Sequence, residues 1–143
     1  MKITQISVFL ENRKGRLFDI CTLLGQANIN IRALTIAETE TFGVLRMVVD
    51  KPKDAIELFR KNDITANQTE VVAVEVPDTP GGLAQVLGVL RDNEVNVEYM
   101  YGFVEKHSEK ALLVFRFDNP QKAHEVLAKS GLSVVDEKGI QGL

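Results

Sequence analysis

Ile6, Val8 and Leu10 alternate with Gln5, Ser7 and Phe9, the period-of-two rhythm of a strand with one face turned to a core. Leu17, Ile20, Cys21, Leu24 and Ala27 then recur at helical spacing, and Asn28 follows where that helix can end. Ile29 to Glu38 and Val44 to Val49 read as the strands of a hairpin turning at Thr39–Gly43. Pro52 suits the entry turn of a second helix over Lys53 to Asn62, because its fixed φ is already helical. Ile64 to Thr69 supplies one more strand. The order is strand, helix, strand, strand, helix, strand.

The same order then repeats. Shifted by 66 residues, Gly15-Arg16-Leu17 falls on Gly81-Gly82-Leu83, Leu24 on Leu90, and Ile29-Asn30-Ile31 on Val95-Asn96-Val97. Beyond residue 110 the offset becomes 68, setting Asp50-Lys51-Pro52 on Asp118-Asn119-Pro120 and Ala55 on Ala123. The difference is absorbed in the polar stretch from Glu105 to Lys110, a hairpin tip. In the second copy Val72, Val74 and Val76 alternate along a strand, and Leu83, Val86, Leu87 and Leu90 mark a helix that can end at Asn93-Glu94. Val95 to Val104 pairs with Ala111 to Phe117, Gln121 to Ser130 follows Pro120 as a helix, and Leu132 to Glu137 closes the copy.

A βαββαβ order puts four antiparallel strands in a sheet with two helices on one face, so the expected class is α+β, two ferredoxin-like units. The domains are expected at residues 1–69 and 70–143. A unit of that size buries only ~60% of its unfolded surface. From Ile64 to Val76 there is neither glycine nor proline, so the two antiparallel sheets are expected to join side by side.

Composition narrows the chemistry. The 143 residues are 45% hydrophobic and 26% charged, ordinary globular values, with a formal net charge of −3 that argues against a nucleic-acid or polyphosphate binder. No apolar run approaches the ~20 residues of a membrane helix, and the first residues lack the apolar stretch of a signal peptide. A cytoplasmic protein with no membrane partner is expected. The single cysteine, Cys21, excludes an internal disulfide and any paired-cysteine metal site, and its place on an apolar stripe reads as core. His107 in the hairpin tip and His124 beside Lys122 and Glu125 read as solvated, so neither metal, cofactor nor catalytic base is expected. Phe115 and Phe117 resemble the stacking pair of an RNA-binding sheet, but Arg116 is their one basic neighbour and core packing is the better reading. Tyr99 and Tyr101 share a strand face that lines an interface or apolar pocket.

Candidate binding chemistry sits in the duplicated strand–helix loop, Glu11-Asn12-Arg13-Lys14-Gly15-Arg16-Leu17 and Pro77-Asp78-Thr79-Pro80-Gly81-Gly82-Leu83. Glycine lets backbone approach a ligand, and a helix start offers unpaired N–H groups to a carboxylate. Asn30 and Asn96, in the strand expected beside that loop, can donate to a carboxylate and accept from an ammonium. The same residues also have structural readings. Gly15 and Gly81 can simply permit tight turns, Thr79 and Pro80 read as an N-cap and first helical residue, and Asp78 complements the helix dipole. Copy one instead places Arg13, Lys14 and Arg16 near a positive helix end, an unfavourable arrangement that an arriving anion relieves, so copy one is expected to be the better anion site.

These residues, with Val95-Asn96-Val97 and Ile29-Asn30-Ile31, make the chain resemble the ACT domain, a small-ligand sensing module of amino-acid-metabolism enzymes, in two tandem copies over nearly its whole length. The resemblance implies that Asn12, Gly15, Asn30, Asp78, Gly81 and Asn96 bind an amino acid at an interface between two such domains. Arg13, Lys14, Arg16, Leu17, Gly82 and Leu83 complete the candidate loops. Copy one departs from the family pattern with Lys14 where proline is usual, and copy two with Asp78 where copy one keeps asparagine. The resemblance implies a non-enzymatic regulatory module, a homodimer or higher homo-oligomer, acting on a separate partner enzyme. The rival readings are an acylphosphatase-like hydrolase using Arg13 or Arg16, and a nucleic-acid-binding ferredoxin-like domain.

Overall fold

The computed structural model describes residues 3–104 and 109–142. His107 therefore lies outside the described residues. The elements are β1 (Ile3–Glu11), α1 (Arg16–Gln26), β2 (Ile31–Glu38), β3 (Phe42–Val49), α2 (Pro52–Lys61), β4 (Ala66–Pro77), α3 (Gly82–Asp92), β5 (Val97–Gly102), β6 (Lys110–Phe117), α4 (Pro120–Lys129), β7 (Val134–Val135) and α5 (Glu137–Gln141). The fold is α+β, with βαββαβ repeated twice. By compactness the chain divides into Thr4–Thr69 and a second unit of Glu70–Leu143 with Met1–Ile3.

In the first unit β3 pairs antiparallel with both β1 and β2, so β2 runs parallel to β1. Ile6, Val8 and Leu10 of β1 meet Leu45, Met47 and Val49 of β3 in a core closed by Ile20 and Leu24 of α1 and by Ala55 and Phe59 of α2. Both helices thus cover one face. The alternation in β1 does not mark a wet face, however: Gln5 and Ser7 are buried too, and the Gln5 amide donates to the Ser7 hydroxyl at 3.4 Å.

In the second unit the strands run β5–β6–β4–β7, all antiparallel. Val72, Val74 and Val76 pack with Phe115 and Phe117, Val86 and Leu90 of α3, and Ala123 and Leu127 of α4. Phe115 and Phe117 stack at 5.4 Å between centroids with no exposure, which places them in the core as expected. Tyr101 is buried and Tyr99 half-buried.

The helix ends repeat most closely. After α1, α2, α3 and α4 the chain passes through Asn28, Asp63, Glu94 and Gly131, each at positive φ. The next residue then donates its N–H into the last turn: Ile29 to Leu24, Ile64 to Phe59, Val95 to Leu90 and Leu132 to Leu127, at 2.9–3.0 Å. These are Schellman closures with an apolar residue at each end of the bond, and they satisfy carbonyls that a helix end leaves open. Pro52 and Pro120 open α2 and α4 as the sequence predicts.

Two expectations fail locally. The closing strand of copy two, expected from Leu132 to Glu137, is only Val134–Val135, because Asp136 caps a further helix by accepting from the Gly139 N–H at 2.9 Å. Thr79 is not an N-cap and Pro80 is not helical: α3 starts at Gly82 behind Gly81. The reason is that Gly81 adopts φ +82, which reverses the chain two residues later than a threonine cap does.

Candidate functional site

The two strand–helix loops share a backbone plan. Gly15 and Gly81, at φ +83 and +82, stand directly before α1 and α3, and no side chain caps either helix. Arg16 N–H donates to the Arg13 carbonyl and Gly82 N–H to the Thr79 carbonyl, closing equivalent turns. Both helix starts thus keep the partial positive charge of uncapped N–H groups.

The loops differ one residue later. A Cβ on Gly82 would stand 2.0 Å from the Pro77 carbonyl oxygen, so copy two seals backbone against backbone. Copy one carries Arg16 at the matching position, half-buried, at the mouth of a cleft of about 100 Å³. Leu10, Leu17 and Ile36 give that cleft apolar walls, and Glu11, Asn12, Arg13, Arg16 and Glu38 give it polar ones. Arg13 Nε pairs with Glu11 at 3.3 Å, both exposed. Among the described residues, neither the Arg16 guanidinium nor the Glu38 carboxylate has a hydrogen bond or ion pair.

The β2–β3 hairpin holds the loop in place. Asn12 donates its backbone N–H to the Thr41 carbonyl at 3.1 Å and its side-chain amide to the Glu40 carbonyl at 3.4 Å. The tip is closed in turn by Thr39, whose hydroxyl donates to the Phe42 carbonyl and accepts from the Phe42 N–H. Asn12 is therefore a tether between loop and hairpin and caps no helix. Lys14 is exposed beside it, as are Asp78, Thr79 and Pro80 in copy two, while Leu83 packs against the second core.

Asn30 and Asn96 do not lie beside their own loops. Asn30 donates its N–H to Asp50 Oδ1 at 2.9 Å, and Asn96 donates to Asp118 Oδ1 at 3.1 Å. Asp50 stands eight positions along β3 from Phe42, which faces Glu11 at the loop end, a separation of roughly 25 Å. The physical reason is direction: β2 runs parallel to β1, so its end, not its start, reaches the loop. Ile36 and Glu38 are the residues that arrive there. Reading the parallel direction of β2 from the βαβ order is the signal that finds them.

With this geometry in view, a family model described as an ACT domain pair matches residues 1–143. The chain belongs to the ACT domain pair family. Protein BT0572 from Bacteroides thetaiotaomicron is 38% identical, with coverage of 100% of this chain and 98% of that one and a TM-score of 0.93. The ligand-free regulatory subunit of aspartate kinase from Thermus thermophilus shares the fold at 15% identity, covering 91% and 93% of the two chains, with a TM-score of 0.65. The corresponding subunit from Thermus flavus gives 13%, 92% and 94%, and 0.63. No curated protein matches.

Of the other polar groups of this ACT domain pair, Cys21 agrees with the sequence reading of a non-nucleophilic thiol and His124 departs from the reading of a fully solvated ring. Cys21 is partly buried, and desolvation pushes its thiol pKa up, which keeps it protonated and weakly nucleophilic. His124 is only partly solvated: it is half-buried, and its Nδ1 is buried without a hydrogen-bond partner among the described residues. Among those residues no group of three or more His, Cys, Asp or Glu is placed to hold a metal, and no helix is long and apolar enough to cross a membrane.

Proposed function

We propose that this ACT domain pair is a binding module, not an enzyme, and that a free amino acid binds in the cleft beside the first strand–helix loop. The observation that carries this is an unpaired cation and an unpaired carboxylate, Arg16 and Glu38, on the walls of one cleft. A zwitterion has a group for each. Its carboxylate goes to Arg16 and the uncapped start of α1, its ammonium to Glu38, and its side chain to Leu10, Leu17 and Ile36. Gly15 lets the backbone approach, and Asn12 fixes the loop against the hairpin.

Arg13 is already paired with Glu11, and Lys14 adds only an exposed charge to the approach. The matching loop of copy two, with Gly82 sealed against Pro77 and Asp78 adding negative charge, serves structure. Gly81, Gly82, Leu83 and Asn96 therefore act on stability or assembly. Regulation then passes to a separate enzyme of amino-acid metabolism, through a homodimer or larger assembly of the chain. The aspartate kinase subunits above, named as regulatory, fit that role.

The test is calorimetric titration of the full chain with the twenty amino acids, beside hydrolysis assays on phosphate and acyl-phosphate esters. Binding of at least one amino acid, weakened tenfold or more by Arg16→Ala and by Glu38→Gln, is expected. Ester hydrolysis with silence from every amino acid overturns the proposal in favour of the acylphosphatase-like alternative.

A further inference from the structure

The second unit holds a larger cavity, about 590 Å³, lined by Glu70, Val72, Asn119, Pro120, Gln121, His124 and Glu125. It lies at the start of α4, and no residue of the strand–helix loops lines it. The duplication shows what changed there, because copy one supplies the same helix in another form. His124 occupies the position of Ile56, which packs against the first core. An apolar plug has become a polar ring whose Nδ1 has no partner among the described residues.

The charges changed with it. Lys51, Lys53 and Arg60 of copy one correspond to Asn119, Gln121 and Ala128. In copy one Lys51 Nζ donates to the Asn28 carbonyl, and Arg60 pairs with Glu57. Glu57 is kept as Glu125, but its arginine is gone. Lys122 stands where copy one has Asp54, and Lys129 matches Lys61, yet neither lines the cavity. Among the described residues no ion pair engages Glu70 or Glu125. Two of the lost cations stood at the positions of Asn119 and Gln121 on the cavity wall, and of its two carboxylates Glu125 is retained from copy one whereas Glu70 takes the place of Thr4.

We propose that this cavity is a second ligand site, specific for a small organic cation such as a primary amine or guanidinium compound. Glu70 and Glu125 supply the charge, Gln121 accepts a further N–H bond, and Val72 and Pro120 accommodate the ligand's methylenes, while Asn119 caps α4 by accepting from the Lys122 N–H at 3.1 Å. The volume falls within the roughly 300–1,000 Å³ of small-molecule sites.

Agmatine and putrescine, with succinate as the anionic control, are the probes for thermal-shift and calorimetric titration of the full chain. At least one of the two cations is expected to raise the melting temperature and bind at one site per chain, and succinate to do neither through this cavity. His124→Ile, which restores the residue of copy one, is expected to weaken binding at least tenfold while the circular dichroism spectrum stays native. Gln121→Lys, an exposed change that restores a lost cation, is expected to do the same. Arg16→Ala, in the other cleft, is expected to leave cation binding intact. Absence of cation binding, or binding that both His124→Ile and Gln121→Lys leave unchanged, overturns the assignment.

Discussion

The Pro77 carbonyl leaves no room for a Cβ on Gly82, whereas Gly88 in the same helix has nothing within 4 Å. Gly82→Ala is therefore expected to destabilise the protein by about 1–3 kcal/mol, since backbone must shift to admit the methyl. Gly88→Ala is expected to stabilise it by about 0.5–1 kcal/mol through helix propensity alone. Urea denaturation of the two variants gives both signs in one experiment. Cys21 adds a pH effect with a definite sign. Burial raises its pKa above 9.0 in the folded state, so on alkalinisation the unfolded chain loses its proton first. Folding is undisturbed below that value and weakens as pH rises from it toward the raised one. Alkylation by iodoacetamide at pH 8 is accordingly expected to be slower in native than in urea-unfolded protein, and equal rates would refute the burial argument.

At the scale of elements, the four Schellman closures make a separable prediction. Glu94 follows α3 at φ +58, a conformation that glycine adopts without penalty, as Gly131 does after α4. Glu94→Gly is expected to raise stability by about 1 kcal/mol, read as a higher urea midpoint with an unchanged slope. The elements themselves were legible because apolar spacing decides them: Ile6, Val8 and Leu10 mark a strand, and Pro52 and Pro120 mark helix starts. The buried face of Gln5 and Ser7 was not legible, because alternation reports only which residues are apolar. Nor was the start of α3, where Gly81 at positive φ overrides the capping preference of Thr79. Of the candidate site, Asn12, Gly15, Arg16 and Leu17 were legible from the duplicated loop. Ile36 and Glu38 were not, since strand direction, and no local motif, brings them to it, and the same direction carries Asn30 away.

For the whole molecule, duplication has produced two units with one plan and different side-chain chemistry. Copy one keeps Arg16 and Glu38 on its cleft, while copy two seals the matching loop with Gly82 and opens a cavity at His124 instead. Repetition preserves what each core requires, namely the glycine turns, the proline starts and the apolar helix ends. Among the positions that differ are charges at helix starts, where Lys51 and Lys53 of copy one give way to Asn119 and Gln121. The account stands on the claim that copy one binds a free amino acid through its first loop. Nitrogen-15 resolved NMR of the full chain, titrated with each of the twenty amino acids, tests it most directly. The account predicts that at least one of them shifts the backbone amides of residues 12–18 and 36–43 in a saturable way and leaves those of 77–83 in place. Shifts confined to 77–83, or none from any amino acid, would contradict it.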